Sequence, residues 1–396
     1  MKVAVVSEFY PRRGDPVLGI WAHRQALAAR DAGAEVQVLV LHRLVPPRSS
    51  LSHGPLHSAR ALASLVSEPR KQTHDGLDVT YVRYLSPPRS RTYHAWGAWS
   101  APMLALALRR LHRSFPYELI HAHNAVPAGD AVRQARIAVP LVVSVHGGDV
   151  LYTAPRSERG RAAVRRSLGA AALTLANSRA VAQLAGAAGA RKTRVVHLGT
   201  DLPVAGGGVG ARRDQTPSLV TVGHLVARKR HADVIRAVAV LGGRHPALRY
   251  VIVGEGPERV ALEALAKRLG VDRRVEFRGQ LPPAQALEQA RRCTLFAMPS
   301  TEEAFGVAYI EAMAGGLPAI GCRGEPGPEE IAALGDGLVL VPPGDIERLV
   351  QRIDELLSDR DRLREVSLHA RETVAANFTW QRCGEETVAA YEDALR

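Results

Sequence analysis

Short apolar runs alternate along the chain with longer segments of helical periodicity. The first series of strand-like runs covers residues 3–6, 36–41, 79–84, 119–122, 141–145, 173–176 and 191–197. The second series covers residues 219–222, 250–253, 275–277, 293–298, 319–321 and 338–341, and a helical pattern fills residues 344–396. Such runs separated by helices are typical of parallel sheets covered by helices. The pattern therefore predicts an α/β fold class.

A glycine-rich stretch separates the two series. Residues 203–210 read Pro-Val-Ala-Gly-Gly-Gly-Val-Gly, which is the composition of a flexible linker. A chain of 396 residues is also too long for a single typical core and suits two domains. We therefore predict a first domain over residues 1–202, a linker over 203–216 and a second domain that begins at 217.

Two carboxylates, Glu303 and Glu311, flank an aromatic-glycine turn. The turn follows the apolar run at residues 293–298, so it lies at the carboxyl end of a strand, where open α/β sheets bind their ligands. Phe305 and Gly306 would present backbone N–H groups at a helix N-terminus, which favours an anion. Carboxylates repel phosphate, so Glu303 and Glu311 suit hydroxyl groups on either side of it. A sugar nucleotide fits this pattern, and an ordinary surface pair of glutamates is the alternative.

A second phosphate motif follows the run at residues 219–222. The segment Gly223-His-Leu-Val-Ala-Arg-Lys229 opens a helix after a strand, which places Lys229 where a pyrophosphate would meet the helix N-terminus. Lysine is rare here, since the chain contains only Lys2, Lys71, Lys192, Lys229 and Lys267. We predict that Lys229 binds phosphate; the alternative is a solvated helix charge.

A third glycine turn, Val253-Gly-Glu-Gly-Pro257, also joins a strand to a helix. It lacks the third glycine of the dinucleotide fingerprint, which argues against a dehydrogenase. We expect Gly254 to allow close backbone packing near a nucleotide.

Together these motifs resemble a known family. The Glu-x7-Glu element of Glu303 and Glu311, followed by Ala-Met-Ala, Gly and Pro, is similar to the signature of the retaining glycosyltransferases of family 4, and the resemblance covers nearly the whole chain. It implies the GT-B fold, in which two Rossmann-like domains face each other across a cleft. It also implies an acceptor-side first domain, a nucleotide-sugar donor domain over residues 217–379, and a C-terminal helix, residues 380–396, that returns to the first domain.

The resemblance also assigns roles to individual residues. Glu303 would contact the donor sugar and Glu311 the ribose, while His146, Lys229 and Glu303 form the implied catalytic group. His146, in a His-Gly-x-Asp element, would position the donor sugar and acceptor rather than attack. The implied donor-binding residues are Gly19, His224, Arg228, Lys229, Gly254, Arg278, Glu303, Ala304, Phe305, Gly306, Val307 and Glu311. No metal and no cofactor are expected beyond the nucleotide-diphosphate sugar that serves as donor substrate.

The chain departs from the family pattern at two positions. His224 stands where the family usually has Arg, and Arg230 where it usually has Gly. The first change removes one phosphate contact, for which the nearby Arg228 is a candidate replacement. Arg278 lies in a segment that resembles the border of the base pocket.

The first domain contributes glycine and histidine motifs. Gly19 begins a helical segment, and its missing side chain would let backbone approach phosphate; a plain turn glycine is the alternative. His121 and His123 match a His-x-His element after a strand, but lack a third ligand at metal-site spacing. We expect these two histidines to be mainly structural. Asp149, which completes the element of His146, is a weaker candidate.

Positive charge is concentrated in the first half of the chain. Residues 1–200 hold 27 Lys and Arg against 11 Asp and Glu, so they account for more than the net charge of +13. No zinc-finger, basic-zipper or RNA-recognition signature accompanies this charge, so no nucleic acid is expected. An anionic membrane surface or a lipid-phosphate acceptor fits better.

Two segments could carry such membrane contact. The first segment contains Trp96, Trp99 and an apolar run, followed by Arg109, Arg110 and Arg113. The second segment is densely basic and contains Arg156, Arg159, Arg161, Arg165 and Arg166. Interfacial helices combine these residue types, although ordinary domain helices with solvated arginines are the alternative. The first residues form a strand rather than a signal peptide, and no apolar stretch is long enough to span a bilayer. We expect a cytoplasmic protein, peripheral on the inner face of the membrane.

The sequence thus predicts a retaining glycosyltransferase that moves a sugar from a nucleotide-diphosphate sugar to the hydroxyl of a saccharide or lipid-linked acceptor. Polysaccharide or glycolipid biosynthesis is the expected setting. Two alternatives remain: a sugar-nucleotide epimerase of similar fold, which would convert a donor without an acceptor, and a noncatalytic module that binds a sugar nucleotide or a membrane.

Overall fold

The chain divides into two compact units in a computed structural model, which describes residues 1–12, 15–46, 55–203 and 216–396. The first unit comprises Met1–Leu198 together with Trp380–Arg396, and the second comprises Gly199–Thr379. Most of the predicted linker, residues 203–216, lies outside the described residues. Within the described ranges, no helix combines the length and the apolar character needed to cross a membrane.

The first unit alternates strands and helices along most of its length. Its elements are β1 (Lys2–Ser7), α1 (Ile20–Asp31), β2 (Glu35–Arg43), α2 (Pro55–Ser67), β3 (Lys71–His74), β4 (Leu77–Tyr84), α3 (Arg89–Thr92), α4 (Trp96–Ser114), β5 (Leu119–His123), α5 (Asp130–Ala135), β6 (Leu141–Val145), α6 (Ala154–Arg156), α7 (Glu158–Ala170), β7 (Leu173–Ala176), α8 (Arg179–Ala187) and β8 (Thr193–Val195).

The sheet of the first unit has the strand order β3-β4-β2-β1-β5-β6-β7-β8. Every pairing is parallel except that of β3 with β4, which is an antiparallel hairpin. In the register of the central strands, Val5 faces both Val38 of β2 and His121 of β5. The strands β1 and β5 to β7 are almost wholly buried, as their apolar runs predict for a sheet covered on both faces.

The second unit repeats this architecture. Its elements are β9 (Ser218–Val222), α9 (His231–Leu241), β10 (Arg249–Val253), α10 (Arg259–Arg268), β11 (Val275–Gly279), α11 (Pro283–Arg292), β12 (Leu295–Ala297), α12 (Val307–Ala314), β13 (Ala319–Cys322), α13 (Pro326–Ala332), β14 (Leu338–Val341), α14 (Ile346–Ser358) and α15 (Arg360–Asn377). Its sheet is parallel throughout, with the order β11-β10-β9-β12-β13-β14. This is the doubly wound order, in which strands are added first on one side of β9 and then, from β12 onwards, on its other side.

The last helix, α16 (Trp380–Leu395), belongs to the first unit and packs along α1. A Cβ atom on Gly384 would lie 2.1 Å from the carbonyl oxygen of Ala28, so only glycine permits this close approach of the two helices. Cys383 and Tyr391 are buried in the core of the first unit. All three cysteines lie in the described ranges, are buried and form no disulfide.

Candidate active site

The topology of the second unit brings the two strongest sequence motifs together. The order in which strands are added to the sheet reverses between β9 and β12, and ligands of such sheets bind outside the carboxyl ends of the strands at that point. The turn that contains Lys229 follows β9, and the turn that contains Glu303 follows β12. The backbone N–H of Thr301 donates to the carbonyl of Arg228 at 2.8 Å, so the two turns are joined directly.

Lys229 and Glu303 form a close ion pair at this point. The Lys229 Nζ atom lies 2.5 Å from Glu303 Oε2, and Arg228 Nη1 lies 3.8 Å from the same oxygen. The hydroxyl of Ser300 also donates to Glu303 Oε2, at 3.0 Å. Glu303 is only 8% exposed, so its charge is balanced by these neighbours rather than by bulk water.

Burial alone would raise the pKa of the Glu303 carboxyl. The attraction and hydrogen bond of Lys229, helped by Arg228 and Ser300, outweigh that effect and leave the pKa below its ordinary value. Glu303 is therefore an ionised carboxylate at neutral pH. As such it accepts hydrogen bonds and donates none, which suits it to the hydroxyl groups of a sugar.

A neighbouring loop fixes the backbone of Glu303. Its N–H donates to Glu325 Oε2 at 2.8 Å, and its carbonyl accepts from the N–H of Gly327 at 2.9 Å. A Cβ atom on Gly327 would lie 2.1 Å from the carbonyl oxygen of Phe305, so the loop can press this closely only with glycine there. Glu325 was not identified from the sequence, because its effect on Glu303 depends on a contact between separate turns.

The turn after Glu303 leads into α12. Gly306 precedes the helix with φ +85°, a left-handed conformation that favours glycine. The Phe305 side chain is 2% exposed and packs against Phe378 at a ring distance of 5.7 Å, so a ligand could meet only its backbone. Ala304 is also buried, while Val307 and Glu311 are half-buried on the first two turns of the helix.

Two further glycine turns line the carboxyl ends of β9 and β10. The N–H of Gly223 donates to the carbonyl of Val253 at 2.9 Å, and the N–H of Gly254 donates to that of Gly279 at 2.8 Å. Gly254 has φ +145°, and a Cβ atom there would lie 2.0 Å from the Gly223 carbonyl oxygen. The expected close backbone packing at Gly254 is therefore confirmed, although its contact with a nucleotide stays a prediction.

The remaining predicted donor residues of this unit differ in their placement. His224 is exposed, and Arg228 is half-buried close to Glu303. Arg278 is exposed on β11, and its ion pair is with Glu276 at 2.9 Å rather than with Glu303. Arg230, at the position where Gly is usual, adopts the left-handed conformation with φ +55° before α9 and bonds Asp233 through Nε at 2.5 Å.

In the first unit, His146 belongs to a stack of histidines. Its Nε2 atom lies 3.0 Å from His123 Nδ1, and the two rings are parallel at 5.3 Å. His121 lies next to His123 and bonds both Tyr391 and Ser144, at 2.8 and 2.7 Å. Burial lowers the pKa of His146 to about 4 and that of His121 to about 3. These two imidazoles are therefore neutral at pH 7, and the contacts of His121 confirm its structural role.

Asp149 and Gly19 hold the surrounding backbone in place. The two carboxylate oxygens of Asp149 accept from the N–H groups of Ala125 and Val126 at 3.0 and 3.1 Å. Gly19 has φ +65°, and a Cβ atom there would lie 2.1 Å from the carbonyl of Phe9. Both residues thus have a structural reason for their identity, and a phosphate contact at Gly19 stays a prediction.

A cavity of about 1330 Å³ lies within the first unit, and the sequence did not reveal it. Glu8, Arg89 and Tyr93 lie on its wall, where Tyr93 donates to Glu8 Oε2 at 2.8 Å. Glu8 directly follows β1, and ligands of such sheets bind at the carboxyl ends of strands. The position of Glu8 in the sequence was therefore a signal for the cavity. In the described part of the chain, no group of three or more His, Cys, Asp and Glu residues is arranged to hold a metal.

Comparison with known proteins identifies the family. Residues 18–203 match the model of Glycosyltransferase Family 4, and residues 209–373 match that of Glycosyl transferases group 1. The D-inositol 3-phosphate glycosyltransferase of Nocardia farcinica is 31% identical over 328 residues, which cover 74% of this chain and 71% of that protein. The chain belongs to the family 4 glycosyltransferases. This confirms the predicted family and glycosyl transfer as the activity.

Other relatives and structures agree with that assignment. A GDP-mannose-dependent α-(1-6)-phosphatidylinositol monomannoside mannosyltransferase of Mycobacterium tuberculosis is 31% identical over 176 residues, which cover 43% of this chain and 46% of that protein. Sucrose-phosphate synthase of Thermosynechococcus elongatus superposes with a TM-score of 0.78 at 22% identity, over 99% of this chain and 98% of that one. Anabaena HepE, solved with UDP and glucose, gives 0.71 at 20% identity over 99% of each chain. The predicted GT-B fold is therefore confirmed.

Proposed function

We propose that this glycosyltransferase moves a sugar, with retention at the anomeric carbon, from a nucleoside-diphosphate sugar to the hydroxyl of a saccharide or lipid-linked acceptor. In this proposal residues 217–379 form the donor domain and residues 1–202 the acceptor domain. The observation that carries it is the Lys229–Glu303 pair at the reversal point of the second sheet. There a cation for the diphosphate adjoins a carboxylate for the sugar hydroxyls.

Lys229 would stabilise the leaving group. As the bond between the anomeric carbon and the phosphate oxygen breaks, negative charge grows on the diphosphate. The Nζ atom of Lys229, the neighbouring Arg228 and the backbone N–H groups that begin α12 are the positive partners available for that charge. We propose that the reaction needs no metal ion because these groups supply the positive charge.

The acceptor oxygen would form its bond on the face that the leaving group vacates. Its proton passes to the departing phosphate oxygen, so atoms and charge balance without a side-chain nucleophile. The neutral His146 would orient donor sugar and acceptor through hydrogen bonds, since burial keeps its pKa near 4. Glu303 would hold the sugar and Glu311 the ribose, with Gly254, Arg278 and the turn of Ala304 to Val307 completing the donor site.

The named relatives support the proposed setting. They act on inositol 3-phosphate and on a phosphatidylinositol mannoside, and Anabaena HepE holds UDP and UDP-glucose. We propose a role in polysaccharide or glycolipid assembly on the cytoplasmic face of a membrane, where anionic lipids attract basic protein surfaces.

Nucleotide binding tests the donor site first. Thermal unfolding is followed with uridine, guanosine, adenosine and thymidine diphosphates, for the native chain and for Glu311→Ala, with the exposed Lys267→Ala as control. One nucleotide should raise the melting temperature of the native chain and of Lys267→Ala, but not of Glu311→Ala. If no nucleotide shifts a folded sample, the donor-site assignment is wrong.

Product analysis tests the rest of the proposal. Once the base is known, NMR of the product shows the anomeric configuration, and inversion would contradict the proposed stereochemistry. Turnover measured with an excess of EDTA should be unchanged, and a loss restored by Mg²⁺ would contradict metal independence.

A further inference from the structure

The cavity of the first unit lies where the topology of its sheet predicts a ligand. The order β4-β2-β1-β5-β6 reverses between β1 and β5, and the cavity wall includes Glu8 after β1 and Asn124 after β5. Arg43, the last residue of β2, and Gly148, after β6, also line it. Such a reversal point is a common binding crevice in doubly wound sheets, and a volume of about 1330 Å³ is ample for a sugar with substituents.

Aromatic rings and arginines together form one wall of this cavity. The guanidinium of Arg89 lies 4.2 Å from the ring centre of Tyr93, 5.3 Å from that of Phe9 and 5.9 Å from that of Trp96. The Arg43 guanidinium lies 4.6 Å from the Trp96 ring. Arg43 also donates to the carbonyls of Val45, Ser86 and Pro87, which fix its side chain. The wall therefore offers apolar faces with positive charge beside them.

Positive charge on the wall exceeds negative charge. The cavity is lined by Arg12, Arg43, Arg89, Arg156 and Arg159 but by only two carboxylates, Glu8 and Asp149. Both oxygens of Asp149 are occupied by backbone N–H groups, and Glu8 accepts from Tyr93. Among the described residues, no carboxylate lies within ion-pair distance of these five arginines.

The remaining wall also favours an anion. Ser157, the N-cap of α7, and Gly160, in the first turn of that helix, also line the cavity. The Ser157 hydroxyl accepts from the Gly160 N–H at 3.0 Å, and the positive end of the helix dipole favours an anion nearby. Two members of the dense basic segment, Arg156 and Arg159, thus contribute to the cavity rather than only to the outer surface. Arginine binds phosphate through two N–H groups at once, which makes it the residue best suited to hold a phosphate at a fixed position.

We propose that this cavity binds the acceptor through a phosphate group, so that the acceptor is a phosphorylated polyol, either free in solution or as the headgroup of a lipid. Arg89, Arg156 and Arg159 bind the phosphate, and the rings of Tyr93 and Trp96 line the path of the polyol. The role of this ligand as the acceptor rests on the proposed function, whereas the binding of a phosphorylated polyol does not.

Direct binding to the full chain tests the cavity. Calorimetry compares myo-inositol 3-phosphate with unphosphorylated myo-inositol, and sedimentation compares vesicles of phosphatidylcholine with vesicles that contain phosphatidylinositol. The variants are Arg89→Gln and Arg159→Gln, and the control is Arg166→Gln, an exposed arginine on the same helix as Arg159 but outside the cavity. Circular dichroism checks that each variant is folded.

The expected result is binding of the phosphorylated probe at least tenfold tighter than of myo-inositol, weakened at least tenfold by Arg89→Gln and by Arg159→Gln but not by Arg166→Gln. Binding of the soluble probe would identify a free acceptor. Binding of phosphatidylinositol vesicles alone, with the same dependence on Arg89, would identify a lipid headgroup. Equal affinity for myo-inositol, or affinity for the soluble phosphorylated probe that is unchanged in both cavity variants, would overturn the proposal.

The nucleotide experiment separates this proposal from the proposed function. If a nucleoside diphosphate binds but neither phosphorylated probe does, the cavity assignment is wrong and the donor site stands. If the phosphorylated probe binds and no nucleotide does, the cavity assignment stands and the proposed donor site is wrong.

Discussion

Lys229 and Glu303 lie 74 positions apart in the chain and meet at 2.5 Å. Removal of the lysine leaves a buried carboxylate with less of its balancing charge, which is costly. We expect Lys229→Ala to lower the free energy of unfolding by about 3 kcal/mol and turnover by roughly 100-fold or more. The double variant Lys229→Ala/Glu303→Gln should regain most of the stability but none of the activity. Urea denaturation and a turnover assay measure the two effects.

The exposed Lys267→Ala, in the same unit, should change neither quantity. A double variant as unstable as Lys229→Ala would show that Glu303 does not depend on Lys229 for its charge. Recovery of activity in the double variant would show that Lys229 does not stabilise the leaving group.

Glu8 should make the stability of the first unit depend on pH. Burial raises the pKa of this carboxyl to about 7, against the opposing effects of Arg89 and the Tyr93 hydrogen bond; Asp149 and Arg43 also face it. The folded state therefore holds a proton that the unfolded state has already released above about pH 4.5. Stability attributable to Glu8 is greatest at low pH and falls as pH rises towards 7.

Replacement by a neutral acceptor isolates this effect. Glu8→Gln keeps an oxygen for Tyr93 but cannot ionise, so its stability relative to the native chain should increase by about 3 kcal/mol between pH 4.5 and 7.5. Denaturation at several pH values checks this, with Glu372→Gln, an exposed position, as the control for loss of a carboxylate. A difference that does not change with pH would contradict a raised pKa at Glu8.

What the sequence predicts for single residues depends on how local the signal is. Lys229 and Glu303 were each identified because they follow a strand and adjoin a helix N-terminus, which is a local pattern. Their pairing was not predicted, because no local pattern encodes a contact between separate turns. The cavity wall was missed for the same reason: Glu8, Arg89 and Arg159 come from three distant segments.

At the scale of the elements, Gly254 joins two strand ends. A Cβ atom there would lie 2.0 Å from the carbonyl oxygen of Gly223, and the φ of +145° is unfavourable for any other residue. We expect Gly254→Ala to lower the free energy of unfolding by about 2 kcal/mol or more and to weaken nucleotide binding, since the turns after β9 and β10 must separate. Thermal unfolding with and without nucleotide measures both effects.

Gly243→Ala is the matched control, because nothing lies within 4 Å of the Cβ position there and the residue is exposed. It should change stability little. If Gly254→Ala proved as stable as the control, the close approach between the two turns would not be needed by the fold.

Most strands that the sequence predicted contain an apolar run. The run at residues 338–341, for example, is β14, Leu338–Val341. The strand β3, Lys71–His74, was missed because all four of its residues are polar. It exists because the turn at Asp75 and Gly76, both with positive φ, returns the chain antiparallel along β4. Its place in the sheet is thus set by a turn and a neighbour rather than by its own hydrophobicity.

At the scale of the whole molecule, the excess positive charge coincides with an exposed apolar stripe on α4. Trp99, Met103 and Leu106 are each about half exposed and recur at helical spacing, followed on the same helix by Arg110 and Arg113. Such a helix suits an anionic membrane surface. We expect Trp99→Glu/Met103→Glu to reduce sedimentation with anionic vesicles at least tenfold.

Val240→Glu, which replaces an exposed apolar residue on α9 in the second unit, is the control and should sediment like the native chain. Vesicles of neutral phosphatidylcholine should bind neither protein. Binding that is independent of anionic lipid, or unchanged in the double variant, would show that α4 is an ordinary domain helix.

The helix α16 links the order of synthesis to the order of folding. Cys383, Ala390 and Tyr391 complete the core of the first unit, yet they follow all 181 residues of Gly199–Thr379 in the chain. At about 5–20 residues per second, a ribosome needs on the order of ten seconds or more to make the intervening segment. During that time α1 exposes the apolar face that α16 will cover. The unit that begins first is therefore finished last, and translation that stops before Trp380 leaves it with an open core.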